Sequence, residues 1–204
     1  MSDPIVASST SPPPASHWRR FRTLYALLAV CIAPVVASYL AYYAFPPDGR
    51  TNYGDLVQPQ RPVAGLAVST LAAAPASLAA LRGQWAMVHV APAGCDDTCR
   101  QGLWNMRQVR LTTGRDRDRV ARVWLVTDGQ QPSAALLQEF DGTVVLRTSP
   151  GAARELFEPA GGAGDAHIWL VDPLGNVMLR WPANADPNRM KKDLSRVLRA
   201  SRIG

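Results

Sequence analysis

Residues 23–45, TLYALLAVCIAPVVASYLAYYAF, contain no charged side chain. A run of that length and polarity crosses the hydrocarbon layer of a bilayer as one helix, which withdraws these residues from any water-soluble core. Pro34 interrupts the run, but a membrane helix re-satisfies the freed backbone group more readily than a soluble one does. Arg19, Arg20 and Arg22 stand just before the span, while Asp48 and Arg50 follow it. The positive-inside rule then places the N-terminus in the cytoplasm and everything after Phe45 on the other side. Tyr39, Tyr42 and Tyr43 fall toward the outer interface, and Trp18 toward the inner one. A cleaved signal peptide fits less well, because its apolar core runs to roughly 7–15 residues and ends in a small-residue cleavage site. The expectation is an uncleaved anchor.

Four segments follow from that placement. Residues 1–22, with SSTSPPPAS near the start, read as a disordered cytoplasmic tail, and residues 23–45 as the transmembrane helix. Residues 46–79 hold Pro46, Pro47, Pro59 and Pro62 and read as an extracytoplasmic linker, an extended tether. Residues 80–204 are long enough for one folded domain. The Ala-rich stretch 70–82 stays ambiguous between a short strand and a short helix.

The chain carries a net charge of +6, and three of its positive charges are the arginines that set topology. Others cluster at Arg107, Arg110, Arg115, Arg117, Arg119 and Arg122, interrupted by Asp116 and Asp118. Nucleic acid is excluded as a partner by compartment and by the lack of aromatic residues among these arginines. The cluster reads as a solvated helix end and turn, or as an electrostatic dock for an acidic partner or lipid headgroups.

Within 80–204 the hydrophobic pattern changes period repeatedly. Trp85–Ala91 is an apolar run of strand length, and Arg100–Thr113 carries a helical stripe that stops at Gly114. Residues 121–127 (ARVWLVT) predict a second strand, 132–140 a helix, 143–148 (TVVLRT) a third strand and 151–157 a short helix. Residues 167–171 (HIWLV) and 177–181 (VMLRW) flank Asp172-Pro173-Leu174-Gly175-Asn176, a hairpin loop. Asp186–Arg202 closes the chain as a basic helix. The order predicts an α/β sandwich, parallel at first and antiparallel at its edge. Trp104, Trp124, Trp169 and Trp181 read as core or sheet-face residues.

Three cysteines occur. Cys31 lies in the span and faces lipid; Cys95 and Cys99 are four residues apart, after the first core strand and before the first helix. One pair does not make a disulfide scaffold. Both thiols fall at a helix N-terminus, where backbone N–H groups and the helix dipole favour thiolate. Such a pair can bind a soft metal or exchange with a disulfide, and two thiolates suit Cu(I), whereas imidazole adds stability for Cu(II). Asp96 and Asp97 oppose thiol ionisation while Arg100 favours it. His89, inside the first strand, reads as a buried, hydrogen-bonded histidine.

A dithiol after the first core strand, followed by a terminal hairpin and helix, resembles the thioredoxin fold. Within it the chain most resembles the Sco/SenC group of membrane-anchored copper proteins. Cys95-Asp96-Asp97-Thr98-Cys99 matches that group's Cys-x-x-x-Cys spacing, LRGQWAMVHV (81–90) its first core strand, and LVDPLGNV (170–177) its hairpin. Three departures are visible. Asp96 and Arg100 replace the prolines of the group's Cys-Pro-x-x-Cys-Pro. Gly164 stands where the group has its third-ligand histidine, so that the nearest histidine is His167. Ala166 stands where thioredoxins carry a cis-proline.

The resemblance implies a thioredoxin-like α/β domain behind a single transmembrane helix, in a bacterial-type inner membrane with the domain periplasmic. It implies a metallochaperone rather than an oxidoreductase, with Cys95, Cys99 and His167 as copper ligands and Cu(I) as the favoured state. The implied client is a cytochrome c oxidase subunit, or another copper or thiol client, supplied with copper or reducing equivalents during assembly. One alternative is a membrane-tethered periplasmic thiol–disulfide oxidoreductase in which Cys95 attacks and Cys99 resolves. Another is a non-catalytic scaffold whose basic face docks a membrane complex.

Overall fold

The computed structural model describes residues 17–44, 52–158, 167–201 and 203. Residues 1–16 of the expected tail 1–22 and the glycine-rich stretch with Gly164 and Ala166 lie outside the described residues, while residues 17–22 of that tail are helical instead of disordered. The chain divides into two units, Met1–Arg50 and Thr51–Gly204. The first contains one helix, α1 (His17–Ala44), with Pro34 inside it. Its stretch Phe21–Ala44 has a mean hydropathy of 2.2 and buries none of its surface in protein. By length and composition it is able to cross a membrane.

The second unit is built on an eight-stranded sheet. In chain order its elements are β1 (Asp55–Pro62), β2 (Val68–Thr70), β3 (Pro75–Ala76), β4 (Trp85–Ala91), α2 (Asp97–Thr112), β5 (Val120–Val126), α3 (Ala134–Glu139), β6 (Val144–Arg147), α4 (Pro150–Phe157), β7 (Ile168–Val171), β8 (Asn176–Trp181) and α5 (Pro187–Ala200). Across the sheet the order is β1-β8-β7-β4-β5-β6-β2-β3. β4, β5 and β6 run parallel, while β7 and β8 are antiparallel to their neighbours. This is the predicted change from parallel to antiparallel. β4 is central and buried along its whole length, which explains why its sequence reads as a continuous apolar run instead of an alternation.

From Asp55 onward the expected tether is part of the sheet. β1 pairs with β8, β2 with β6, and β3 with β2, so this segment supplies strands at both edges. The prolines are compatible because an edge strand has one side without ladder bonds to lose; Pro59 and Pro62 lie in β1. Val63, Leu66, Val68 and Leu78 from the same segment are buried against one face of the sheet. Burial of that apolar surface offsets the conformational entropy lost when the segment is ordered.

Two apolar clusters occupy the two faces. Met87, Leu103, Met106, Trp124, Leu170, Trp181, Met190 and Leu194 form one, under α2 and α5. Val88, Val123, Leu125, Phe157, Trp169 and Val171 form the other, under α4. The assignment alternates residue by residue along β4 and β7, as strand pleating requires. Helix starts are fixed by side-chain caps: Asp96, Ser133, Ser149 and Asp186 each accept a backbone N–H at the N-terminus of their helix. In the hairpin, the Asp172 carboxylate accepts the N–H groups of Leu174 and Asn176, and Gly175 takes a positive φ of 89° that closes the turn.

Trp124, Trp169 and Trp181 are buried as expected, but Trp104 is 46% exposed. α2 turns Cys99, Gly102, Leu103, Met106 and Val109 inward, and Trp104 lies on the opposite side.

Candidate functional site

Cys95 and Cys99 meet at the junction of β4 and α2. Asp96 is the N-cap of α2, its carboxylate accepting the Cys99 N–H at 2.9 Å. Cys99 therefore sits in the first turn, where orphan N–H groups and the helix dipole concentrate positive potential. Cys95 precedes the cap with φ at +40°, a left-handed conformation that residues with a Cβ rarely adopt. Its N–H donates to the Pro92 carbonyl at 3.2 Å, and the resulting turn brings its Cα to 5.1 Å from that of Cys99. The two sulfurs are joined as a disulfide. A regular helical i, i+4 pair would hold its Cβ atoms about 5–6 Å apart, too wide for a bridge; the turn at Cys95 closes that gap. Both cysteines are buried, at 4% and 3% exposure.

Asp128, just past β5, holds the loop from the side. One carboxylate oxygen accepts the Ala93 N–H at 3.0 Å and the other accepts the Gln130 N–H at 3.1 Å. In sequence this residue reads only as the turn Asp128-Gly129, and its part in the cysteine loop was not anticipated.

The two histidines of the second unit lie on different faces of the sheet. His167 stands immediately before β7, with its ring 6.3 Å from that of Trp169. Trp169 belongs to the cluster under α4, whereas Cys95 and Cys99 share the other cluster with Ile168 and Leu170. The structure thus does not bring the His167 ring to the dithiol. His89 is the histidine on the cysteine side. It is fully buried, and its ring lies under the second turn of α2, so close that a Cβ on Gly102 would come to 2.8 Å from it. Nδ1 of His89 is 3.0 Å from the His167 carbonyl oxygen. A carbonyl only accepts, so Nδ1 carries a proton.

Among the described residues, no group of three or more His, Cys, Asp or Glu side chains is assembled to hold a metal ion. The donor set at this place is two sulfurs. When reduced they are soft ligands suited to Cu(I), and without imidazole they are poorly suited to Cu(II). Cys31 lies exposed in α1 and belongs to the other unit.

Residues 85–201 match the family described as transmembrane-like, thioredoxin-like, C-terminal domain. No curated protein matches the chain. Solved structures do share its fold. Sco1 from Thermus thermophilus aligns with a TM-score of 0.56 at 16% identity, over 72% of this chain and 96% of its own. Copper-bound ScoI from Arabidopsis thaliana gives 0.54 at 14%, over 73% and 99%. A thiol:disulfide interchange protein from Chlorobium tepidum gives 0.52 at 20%, over 68% and 97%. At such identities the likeness is one of fold. With more than half of the residues matched to one family model, the chain belongs to the transmembrane-like, thioredoxin-like C-terminal domain family.

Proposed function

We propose that this protein is a membrane-tethered dithiol carrier whose Cys95–Cys99 pair exchanges with a disulfide in a client protein outside the cytoplasm. The observation that carries this reading is the bridged pair at the head of α2, with no third metal-ligating side chain grouped with it among the described residues. In the reduced form, the Cys95 thiolate attacks a client sulfur and displaces the other client sulfur as a thiol. The Cys99 thiolate then attacks the mixed disulfide, restoring the Cys95–Cys99 bond and releasing a client dithiol. Two electrons pass to the client, and the protons come from solvent. A membrane reductant must reopen the bridge before the next cycle. The dipole of α2 stabilises the departing Cys99 thiolate at that stage.

A second reading takes Cu(I) as cargo on the same two thiolates, with His167 as a further ligand after a rearrangement that turns its ring toward the dithiol. Its support is the two-sulfur donor set and the Cys-x-x-x-Cys spacing. The fold neighbours include both copper-bound ScoI and a thiol:disulfide interchange protein, so fold does not separate the two readings. In either, the client we infer is the cysteine pair of a cytochrome c oxidase copper centre, in a bacterial-type inner membrane with the domain periplasmic. Arg19, Arg20 and Arg22, at the start of α1 and just before its uncharged run, support that orientation.

One pair of measurements tests both readings. The reduced full chain in detergent is assayed for reduction of insulin disulfides and for Cu(I) uptake against a chromophoric chelator. Exchange predicts turnover that disappears in both Cys95→Ser and Cys99→Ser. Cargo binding predicts one Cu(I) per chain that disappears in the same variants and weakens in His167→Ala. A wild-type protein that does neither would overturn the proposal. Alkaline phosphatase fused after Gly204 is expected to be active if the domain is periplasmic.

A further inference from the structure

The arginine cluster 107–122 is largely turned onto the protein's own backbone. Arg107 donates to the Glu139 carbonyl, Arg110 to that of Val120, Arg119 to those of Leu198 and Ser201, and Arg122 to that of Asp141. Of that cluster Arg107, Arg115 and Arg117 stay exposed, whereas a longer basic surface lies on α5, where Arg189, Lys191, Lys192, Arg196 and Arg199 all face solvent. The only carboxylate within that helix, Asp193, is 3% exposed. Lys191, Lys192, Arg196 and Arg199 line one side of a groove of about 600 Å³ between α5 and the end of α2. A helix face of one sign, with its single acid withdrawn, attracts an anionic surface.

The chain itself indicates which surface. Tyr53 and Gly54 donate their N–H groups to the two oxygens of Asp193 at 3.1 and 2.9 Å, and Arg189 stacks on the Tyr53 ring at 3.9 Å. The segment arriving from the apolar helix is thus fastened to α5. Nine peptide bonds separate Ala44 from Tyr53, a span of at most roughly 30 Å. A tether this short keeps α5 at high effective concentration over the bilayer that α1 enters. We propose that the outer face of α5 docks on anionic phospholipid headgroups of that same membrane. This rests on α1 being a membrane span and is independent of the dithiol chemistry.

Lys191 and Lys192 are the only lysines in the chain, so an amine-reactive acylating reagent reads this helix directly, apart from the N-terminal amine. The full chain is placed in nanodiscs of phosphatidylcholine alone or with phosphatidylglycerol, and acylation of the two lysines is followed by peptide mass spectrometry. Docking predicts acylation several-fold slower in the anionic discs, with the protection lost in 1 M salt, where the screening length falls to about 3 Å. One basic side chain near an anionic leaflet strengthens attachment roughly fivefold. Arg199→Glu, which leaves both lysines in place, is therefore expected to weaken docking at least that much, and Arg199→Gln less. Equal rates in the two lipids overturn the proposal, as does protection that appears only when soluble polyglutamate is added. A chain that a salt wash strips from the discs refutes the anchor itself. One that stays embedded with equal rates refutes the docking alone.

Discussion

Gly102 lacks a side chain where His89 fills the space that one would need. Replacing glycine by alanine inside a helix ordinarily stabilises it by about 1 kcal/mol, but overpacking a filled core costs about 1–3 kcal/mol. With a Cβ 2.8 Å from a buried ring, overpacking wins. Gly102→Ala is expected to lose about 1 kcal/mol or more in urea melts. In a His89→Ala background the same change is expected to be neutral or stabilising. An additive double mutant would show that the two do not share the space. Arg122 gives the opposite case. It is only 6% exposed, where a solvated cluster was expected, and Nε and Nη1 find no hydrogen-bond partner among the described residues. Burial first, then the charges of Arg110 and Arg107, lower its pKa, with Asp141 pulling the other way. A buried charge so poorly matched contributes little, and Arg122→Met is expected to shift stability by less than about 1 kcal/mol. Neither residue announces its burial in the sequence. A histidine in an apolar run marks a strand, but only the packed helix shows what covers it.

The elements that were legible are those with local signals. The predicted strand 85–91 coincides with β4, and 121–127 lies within one residue of β5 at each end. The hairpin is where Asp-Pro-x-Gly-Asn placed it, and both cysteines fall on the loop and first helical turn that the pattern break implied. Pairings between distant segments were not legible. β1 meets β8, more than a hundred residues later in the chain, and prolines in a strand argue for an edge or for no strand at all. The outward turn of Trp104 was hidden because α2 carries apolar residues on both sides, Leu103 inward and Leu111 half exposed. Asp193 was hidden too, as an acid on the apolar stripe between Met190 and Leu194. Its carboxylate accepts from Tyr53, Gly54 and the Trp181 indole, all within 3.1 Å. Removing it leaves buried donors unpaired, each costing about 1–3 kcal/mol. Asp193→Ala is therefore expected to destabilise the folded unit by about 3 kcal/mol or more and to loosen the 52–54 segment, read as faster proteolysis near Tyr53. Unchanged stability would mean that this carboxylate does not hold the segment.

At the scale of the whole molecule, residues 52–81 belong to the folded unit, although their composition suggests a spacer. Without them, β8 and β6 become bare edges, and the apolar face that Val63, Leu66, Val68 and Leu78 cover is opened to water. A protein starting at residue 80 is expected to unfold at much lower denaturant than one starting at residue 52, with a smaller m-value for the surface it no longer buries. Equal midpoints would return the segment to the role of spacer. Because this early segment supplies both rims of the sheet, the order of synthesis matters. β1 leaves the ribosome with no partner to pair with, and β2 with β3 alone, since Leu146–Arg147 and Asn176–Arg180 do not yet exist. At about 5–20 residues per second, the first strand waits roughly 6–25 s for the last one. Through that interval its backbone donors are satisfied only by water or by whatever chaperone attends the nascent chain.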